Sequence, residues 1–467
     1  MSNQPNIILI LSDQLRGDCL SCLGHPVAET PNLDQLAGEG IQFRRAYSPC
    51  PSCVPARRSL MTGMTPYRAG MVGYQDYEPW NYEHTLAGGL TKAGYQSINI
   101  GRTHFYPPRL HLGFEQLILN KEEYESWLRE RGFQGGKFGQ GVDNNSWIGR
   151  PSHLPEHYME EAWLVNQAED FLGRRDTTRP FFMCLSLAGP HPPWCPPEFY
   201  FHLFNDKEIP LPVVGDWAEG NACEDEPWDV NAWRRRLPEH LTHRAQAAYH
   251  AMVAFVDAQI GRFLRTLRLQ GFSSDTWILF ASDHGEMLGD HHLWRKTYAY
   301  EGSARIPLIL RPPRGSQRFV NEACEELAGL EDIMPTLLEI GGASIPDTVE
   351  GQSLLSLVRG ETTPRSYYHG EHAPAYGPEA AHQFLVNQKW KYIWNPVTGI
   401  EQLFDLENDP SECNNLASLE EYEDSLNTWR ERLAHELKDR VEGFSDGIQL
   451  SRVTPSAVVP AQGSKPT

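Results

Sequence analysis

The densest run of reactive residue types is Ser48-Pro49-Cys50-Pro51-Ser52-Cys53-Val54-Pro55-Ala56-Arg57-Arg58-Ser59-Leu60-Met61-Thr62-Gly63. Its prolines fix φ and push the residues before them towards extended backbone, so 48–55 is expected to be a stiff, non-helical approach. Ala56 to Met61 holds good helix formers and Thr62-Gly63 closes them. Cys53 then lies just ahead of a short helix, at the positive end of its dipole, with Arg57 and Arg58 one turn on. A sulfur in an electropositive niche is a candidate reactive centre. Cys50 and Cys53 also form C-x-x-C, which fits a redox pair or half a zinc site, and a buried inert cysteine is a further alternative.

Other residues capable of chemistry fall at the ends of apolar runs. Asn6–Leu11 is a continuous apolar strand ending at Asp13-Gln14. Tyr95–Ile100 ends at Arg102 and His104, Pro180–Ala188 is followed by His191, and Trp277–Ala281 ends at Asp283-His284, with Lys296 twelve residues on. Two carboxylates, an amide and an imidazole can hold a divalent cation. Arginine and lysine can clamp an anionic tetrahedral group, and two histidines can serve as acid and base. Taken singly, each has a plain structural role, such as helix capping by Asp13 or Asp283. Their shared position at one sheet edge, where open α/β sheets bind ligands, raises the functional alternative.

Helices are expected at Pro31–Ala37, Leu86–Ala93, Tyr158–Leu172, Thr242–Leu269 and Asp332–Ile340. In the strongest, Met252, Val256, Ile260, Phe263 and Leu267 recur at three- and four-residue steps. A further strand is expected at Arg305–Leu310. The alternation predicts an α/β fold with a large, mostly parallel sheet flanked by helices. Past residue 362 the strands shorten (Gln383–Asn387, Lys391–Trp394, Gln402–Asp405) and a helix follows at Leu419–Leu437, predicting a small antiparallel sheet with one helix. The expected units are a catalytic domain 1–362, an α+β subdomain 363–447 and an extended or disordered tail 448–467. That tail suits contacts in a homo-oligomer.

The chain has 467 residues, 40% hydrophobic and 22% charged, with 61 acidic against 41 basic side chains and a formal charge of −20. That balance argues against a nucleic-acid partner but not against a small anionic substrate. No apolar stretch is long enough for a membrane span, Met1–Pro5 lacks a basic leader, and nine cysteines form no even framework. A cytoplasmic location is expected.

Cys53-Val54-Pro55-Ala56-Arg57 with Thr62-Gly63 resembles the C-x-P-x-R…TG signature of the type I sulfatases, of the alkaline phosphatase superfamily. The likeness continues in family order through Asp283-His284-Gly285-Glu286, Gly289-Asp290-His291, Lys296, Tyr300-Glu301…Arg305-Ile306-Pro307-Leu308, Pro335-Thr336-Leu337-Leu338, Leu403-Phe404-Asp405-Leu406…Asp409-Pro410 and Asn415-Leu416. The resemblance implies an alkaline phosphatase-like fold. It also implies oxidation of Cys53 to formylglycine (3-oxoalanine) by a formylglycine-generating or anaerobic sulfatase-maturating enzyme. Asp13, Gln14, Asp283 and His284 resemble the metal ligands, with the modified Cys53 completing the sphere. Arg57 resembles the residue that holds the aldehyde hydrate, and His104 the base that helps release sulfate. His191 and Lys296 resemble the groups that meet the sulfate and protonate the leaving oxygen, while Arg102 and Lys296 neutralise sulfuryl charge. The implied chemistry is attack on sulfur by one hydrate hydroxyl with release of the alcohol or amine, giving a covalent sulfo-enzyme intermediate; His104 then takes the proton of the second hydroxyl, sulfate is eliminated and the aldehyde returns.

Two departures stand out. Gln14 and His284 replace an acid and an amide usual in the family, which brings Mg²⁺ and Mn²⁺ into contention beside Ca²⁺. Arg102 replaces a lysine with a bulkier, bidentate fork. The metal-ligand pattern resembles the arylsulfatase, phosphonate monoester hydrolase and choline-sulfatase branches. The expected activity is hydrolysis of an aryl or carbohydrate sulfate ester, small or oligosaccharide. Phosphonate monoester or phosphodiester hydrolysis at the same site is the near alternative, and a non-catalytic binder the distant one. Excursions at 74–84, 105–150 and 194–240, with Trp80, Trp147, Trp194, Trp217, Trp228 and Trp233, are expected to wall the substrate pocket, most of these tryptophans by packing.

Overall fold

A computed structural model describes residues 4–316 and 319–458. Its central strand is β1 (Asn6–Asp13), buried along its whole length. Ile8 and Ile10 pack into the core on one face of the sheet, and Ile7, Leu9 and Leu11 into the core on the other. That is why the run is apolar at every position instead of alternating. The remaining strands of this sheet are β2 (Ile41–Tyr47), β3 (Gln96–Gly101), β4 (Gln116–Ile118), β5 (Phe181–Pro190), β6 (Thr276–Ser282), β7 (Arg305–Ile306), β8 (Leu308–Arg311) and β9 (Glu322–Gly329). The order is β4-β3-β5-β1-β6-β8-β2-β7, with β9 also paired to β2. β3, β5, β1 and β6 are parallel neighbours. Ser12 pairs with Ser282, and Asp13 with Pro190. The four polar strand ends are therefore side by side.

Helices cover both faces. α1 (Cys53–Thr62) and α4 (Ile333–Ile340) lie in one core through Val54, Leu60, Ile333 and Leu337. α2 (Glu160–Arg174) and the 31-residue α3 (Glu239–Leu269) lie in the other, where Met252, Val256, Ile260, Phe263 and Leu267 form the buried stripe. A separate antiparallel sheet, β10 (Tyr368–His372), β11 (His382–Val386), β12 (Trp390–Trp394) and β13 (Glu401–Asp405), is covered by α5 (Glu423–Glu436) through Leu426, Trp429 and Leu433. The two sheets are tied by the fully buried Lys391. Its ammonium reaches Glu301 at 2.8 Å, Glu412 at 2.7 Å and the Ala299 carbonyl at 2.9 Å. No helix among the described residues is long and apolar enough to cross a membrane.

Several expectations are corrected. β2, β4, β9 and β10 were not anticipated. The strand expected at Arg305–Leu310 is two, parted at Pro307, and both pair antiparallel with β2. The helix at the reactive stretch begins at Cys53 itself, because Ser52, in extended backbone, is the residue before the first turn and Pro55 lies where no N–H is needed. The helix expected over Leu419–Leu437 is regular only from Glu423, after two short 3₁₀ turns. Residues 448–458 of the tail lie back against the small sheet. Ser451 N donates to Phe444 O and Val453 N to Pro396 O, and Val458 is buried. Residues 459–467 lie outside the described residues.

Candidate active site

α1 presents Cys53 in its first turn, against the ends of β1 and β6. The thiol is buried, with Sγ 3.1 Å from His284 Nε2 and 3.7 Å from Asp13 Oδ1. One ligand atom each from Asp13, Cys53, Asp283 and His284 lies within 4.8 Å of the others, and all four residues are buried. Arg57, one turn further along α1, does not contact Cys53 by hydrogen bond. Its Nε donates to Asp283 Oδ2 at 2.9 Å, Nη2 to Asp13 Oδ2 at 3.2 Å, and Nη1 to the Arg102 carbonyl and Ser186 Oγ, both at 2.8 Å. Arg102 adds a second bond to Asp13 Oδ2 at 2.9 Å. The arginines thus occupy the Oδ2 atoms, and the Oδ1 atoms face His284 and Cys53.

This donor set suits a divalent cation. Two carboxylates oriented by arginine are joined by an imidazole whose Nδ1 is satisfied by the Gly285 carbonyl at 2.9 Å, which directs Nε2 into the cluster. Burial opposes ionisation of Asp13, yet the guanidinium groups of Arg102 and Arg57 hold its carboxyl well below the usual range. Burial, followed by the Asp13 carboxylate, pushes the Cys53 thiol up to about 12. As a thiol it is therefore a poor nucleophile, whatever the helix dipole contributes. Cys50, also buried, makes no disulfide with it.

Gln14 lies beside the cluster in left-handed backbone (φ 71°). Its side-chain oxygen accepts from Lys296 Nζ at 2.7 Å, and its amide nitrogen donates to Glu286. Lys296 also donates to His191 Nε2 at 3.0 Å, while His191 Nδ1 bonds the Pro192 carbonyl at 2.6 Å. Burial, then Lys296 and Arg102, keep His191 neutral, and burial with Arg102 and Arg57 does the same to His104. His104 sits at φ 57° with Nδ1 buried and unbonded. A cavity of about 530 Å³ opens beside Arg102 and His104, lined by Tyr74, Trp80, Tyr106 and Phe138. Of the tryptophans in the excursions, Trp80, Trp147 and Trp194 are buried, and only Trp80 lines this cavity.

Two contributors went unassigned in the sequence. Ser186, at the polar end of β5, fixes Arg57. Glu286, fully buried, fixes Gln14 and the turn at Leu288, whose N–H it accepts at 3.0 Å. Ser186 occupied a predicted strand end, and Glu286 stood in a matched motif without a role. Gly101 closes β3 where a Cβ would lie 2.0 Å from the Ser186 carbonyl, at φ 106°, so only glycine brings β3 against β5 there.

A mostly parallel sheet with charged residues gathered at one edge around a buried cysteine, next to a small antiparallel sheet, defines an alkaline phosphatase-like hydrolase. The Sulfatase family model matches residues 5–343, and the model for the N-sulphoglucosamine sulphohydrolase C-terminal region matches 289–439. This chain belongs to the sulfatase family and is a sulfuric ester hydrolase. It is 42% identical to an arylsulfatase of Clostridium perfringens, over 97% of this chain and 98% of that one. A choline-sulfatase of Rhizobium meliloti is 31% identical, with coverage of 89% and 83%. Among solved structures, the phosphonate monoester hydrolase of Agrobacterium radiobacter superposes with a TM-score of 0.79 at 27% identity, covering 92% of this chain and 95% of that one.

Proposed function

We propose that the chain hydrolyses aryl or carbohydrate sulfate esters at the Cys53 pocket, after conversion of Cys53 to formylglycine by a maturating enzyme that reads Cys53–Arg57. The observation that carries this reading is the placement of the Cys53 side chain among Asp13 Oδ1, Asp283 and His284 Nε2, with the outer carboxylate oxygens held by Arg57 and Arg102. Asp13, Asp283 and His284 would hold a divalent cation, with Gln14 beside them. The cation would supply Lewis acidity, and the hydrated aldehyde a nucleophile that can be regenerated.

The partners of the remaining residues support a role for each. Arg102 and Lys296 meet the sulfuryl oxygens. The leaving-group proton is held by the Lys296–His191 pair. His191 is neutral with its Nε2 lone pair turned to Lys296 Nζ, so Lys296 is the hydrogen-bond donor of the pair and His191 orients it. His104, kept neutral by burial, has the lone pair a base needs for the second half of the cycle. The aromatic cavity beside Arg102 receives the leaving group.

The test is steady-state hydrolysis of 4-nitrophenyl sulfate by protein whose mass is lower by about 18 Da, the thiol-to-aldehyde change. Turnover that EDTA abolishes is expected. No sulfate release from protein with verified aldehyde and added Ca²⁺, Mg²⁺ or Mn²⁺ would reject the reading. The phosphonate monoester hydrolase neighbour supports a second reading, hydrolysis of phosphonate monoesters at the same site. It wins if 4-nitrophenyl phenylphosphonate has the higher kcat/KM.

A further inference from the structure

Arg57 and Arg58 are consecutive on α1, so their side chains leave the helix about 100° apart. Arg57 turns to the carboxylates. Arg58, 4% exposed, turns the other way, into the segment between α1 and Leu86. That segment has turns and bends but no helix or strand, so it lacks a regular hydrogen-bond ladder of its own. Arg58 supplies one from outside. Its Nη2 donates to the carbonyls of Glu78 at 2.7 Å and Pro79 at 3.2 Å, and its Nη1 to Tyr82 OH at 2.9 Å. Its guanidinium lies 5.0 Å from the centre of the Trp80 ring and 5.7 Å from that of Tyr82. Tyr82 OH then donates to the Ala69 carbonyl at 2.5 Å, closing the loop on itself.

Two features separate this from ordinary packing. Among the described residues no carboxylate pairs with Arg58, and its buried Nε has no partner. A buried cation met only by carbonyls, a phenol and ring faces bears a desolvation cost that an apolar side chain of similar length would avoid. Moreover, two of the residues it holds, Glu78 and Trp80, line the cavity and end the stretch that walls it. Tyr74, Gln75, Asp76, Tyr77, Glu78 and Trp80 form one side of the 530 Å³ space whose other side carries Arg102 and His104. Trp80 N also donates to Tyr106 O at 3.0 Å, which links the two walls.

We propose that Arg58 is the positioning residue of the leaving-group pocket, fixing residues 74–82 on the helix that carries Cys53 so that the enzyme selects leaving groups larger than one ring. This rests on the sulfate-ester reading for its substrates. The cavity exceeds a single nitrophenyl ring, so a larger leaving group reaches the 74–82 wall whereas nitrophenolate occupies only the inner part.

The test compares wild type with Arg58→Met, Arg58→Lys and the milder Tyr82→Phe, all with verified aldehyde. For Arg58→Met we expect KM for 4-methylumbelliferyl sulfate to rise about tenfold, KM for 4-nitrophenyl sulfate less than threefold, and kcat for both to stay within threefold. Arg58→Lys, which keeps charge but not the fork, should fall between, and Tyr82→Phe should shift the same way. Amide hydrogen exchange of residues 74–82 should quicken in Arg58→Met. Equal loss of kcat on both substrates would show Arg58 acting through the Cys53 helix and overturn the proposal, as would unchanged exchange in 74–82. Should the wild type cleave no sulfate ester, the sulfatase reading falls and the exchange measurement alone still decides whether Arg58 is the strut. Should Arg58→Met fail to fold, Tyr82→Phe decides on both readouts.

Discussion

Replacing Arg57 by methionine separates its structural role from the role of a cation. Arg57 is buried and makes four hydrogen bonds, two of them to Asp283 and Asp13. Asp13 would keep Arg102, but Asp283 Oδ2 would lose its guanidinium. Breaking a buried ion pair from one side costs about 3–5 kcal/mol. An unfolding entropy of about 2.1 cal/mol/K per residue over 467 residues is about 1 kcal/mol/K. The variant should therefore melt about 3–5 °C below wild type in EDTA. The charge left behind sits at the cluster of Asp13, Cys53, Asp283 and His284, so a divalent cation should compensate it. Added Ca²⁺ should accordingly raise the Tm of Arg57→Met by more than it raises that of wild type, even as turnover collapses. Differential scanning fluorimetry with EDTA and with saturating Ca²⁺ reads both quantities. An equal Ca²⁺ shift in the two proteins would refute Arg57 as counter-charge to the metal carboxylates.

Three further outcomes are expected. Cys53→Ala should abolish turnover and leave the Tm within about 2 °C, since the thiol is un-ionised; a large Tm loss would make Cys53 a packing residue first. Lys391→Met should cost about 3–5 kcal/mol in urea unfolding, because Glu412 would be left buried without its cation and Glu301 with Arg305 alone; a loss below about 1 kcal/mol would mean that this ion cluster does not tie the two sheets. Burial, then His372, lowers His382 to about 3. A histidine depressed in the folded state adds stability that is whole above the unfolded value near 6.5 and is lost as pH falls. The stability of His382→Phe should therefore fall less steeply than that of wild type between pH 6.5 and about 4, by about 1.4 kcal/mol per unit, in urea titrations; parallel profiles would contradict this.

The four parallel strands were legible because each is buried on both faces, which leaves a continuous apolar run with an abrupt polar end. That same abruptness placed Asp13, Arg102, His191 and Asp283 at one edge. β2 escaped notice because Arg44 and Arg45 interrupt it, and β10 because Tyr-His-Gly-Glu-His has no apolar period; pairing with neighbours, not local pattern, makes both strands. The orientation of polar side chains was equally out of reach. Nothing in the order of residues says that Arg57 turns to carboxylates, that Lys296 claims the Gln14 oxygen, or that Glu286 stands behind it. Those are choices among hydrogen-bond partners brought together across some 270 residues of chain.

All ten residues of the helix that starts at Cys53 are buried, and the residue touching the thiol, His284, is 231 positions further along the chain. On the proposed reading, a maturating enzyme would have to reach Cys53 in a state that the finished fold does not offer. Oxidation would then be set against chain completion as a matter of timing. At about 5–20 residues per second, translation leaves on the order of 10–50 s between emergence of Cys53 and of the strand end that seals it. A chain that closed first would keep its sulfur and be stably folded yet inert. The active fraction of a preparation would then record how that race ran during synthesis, not how well the protein folds.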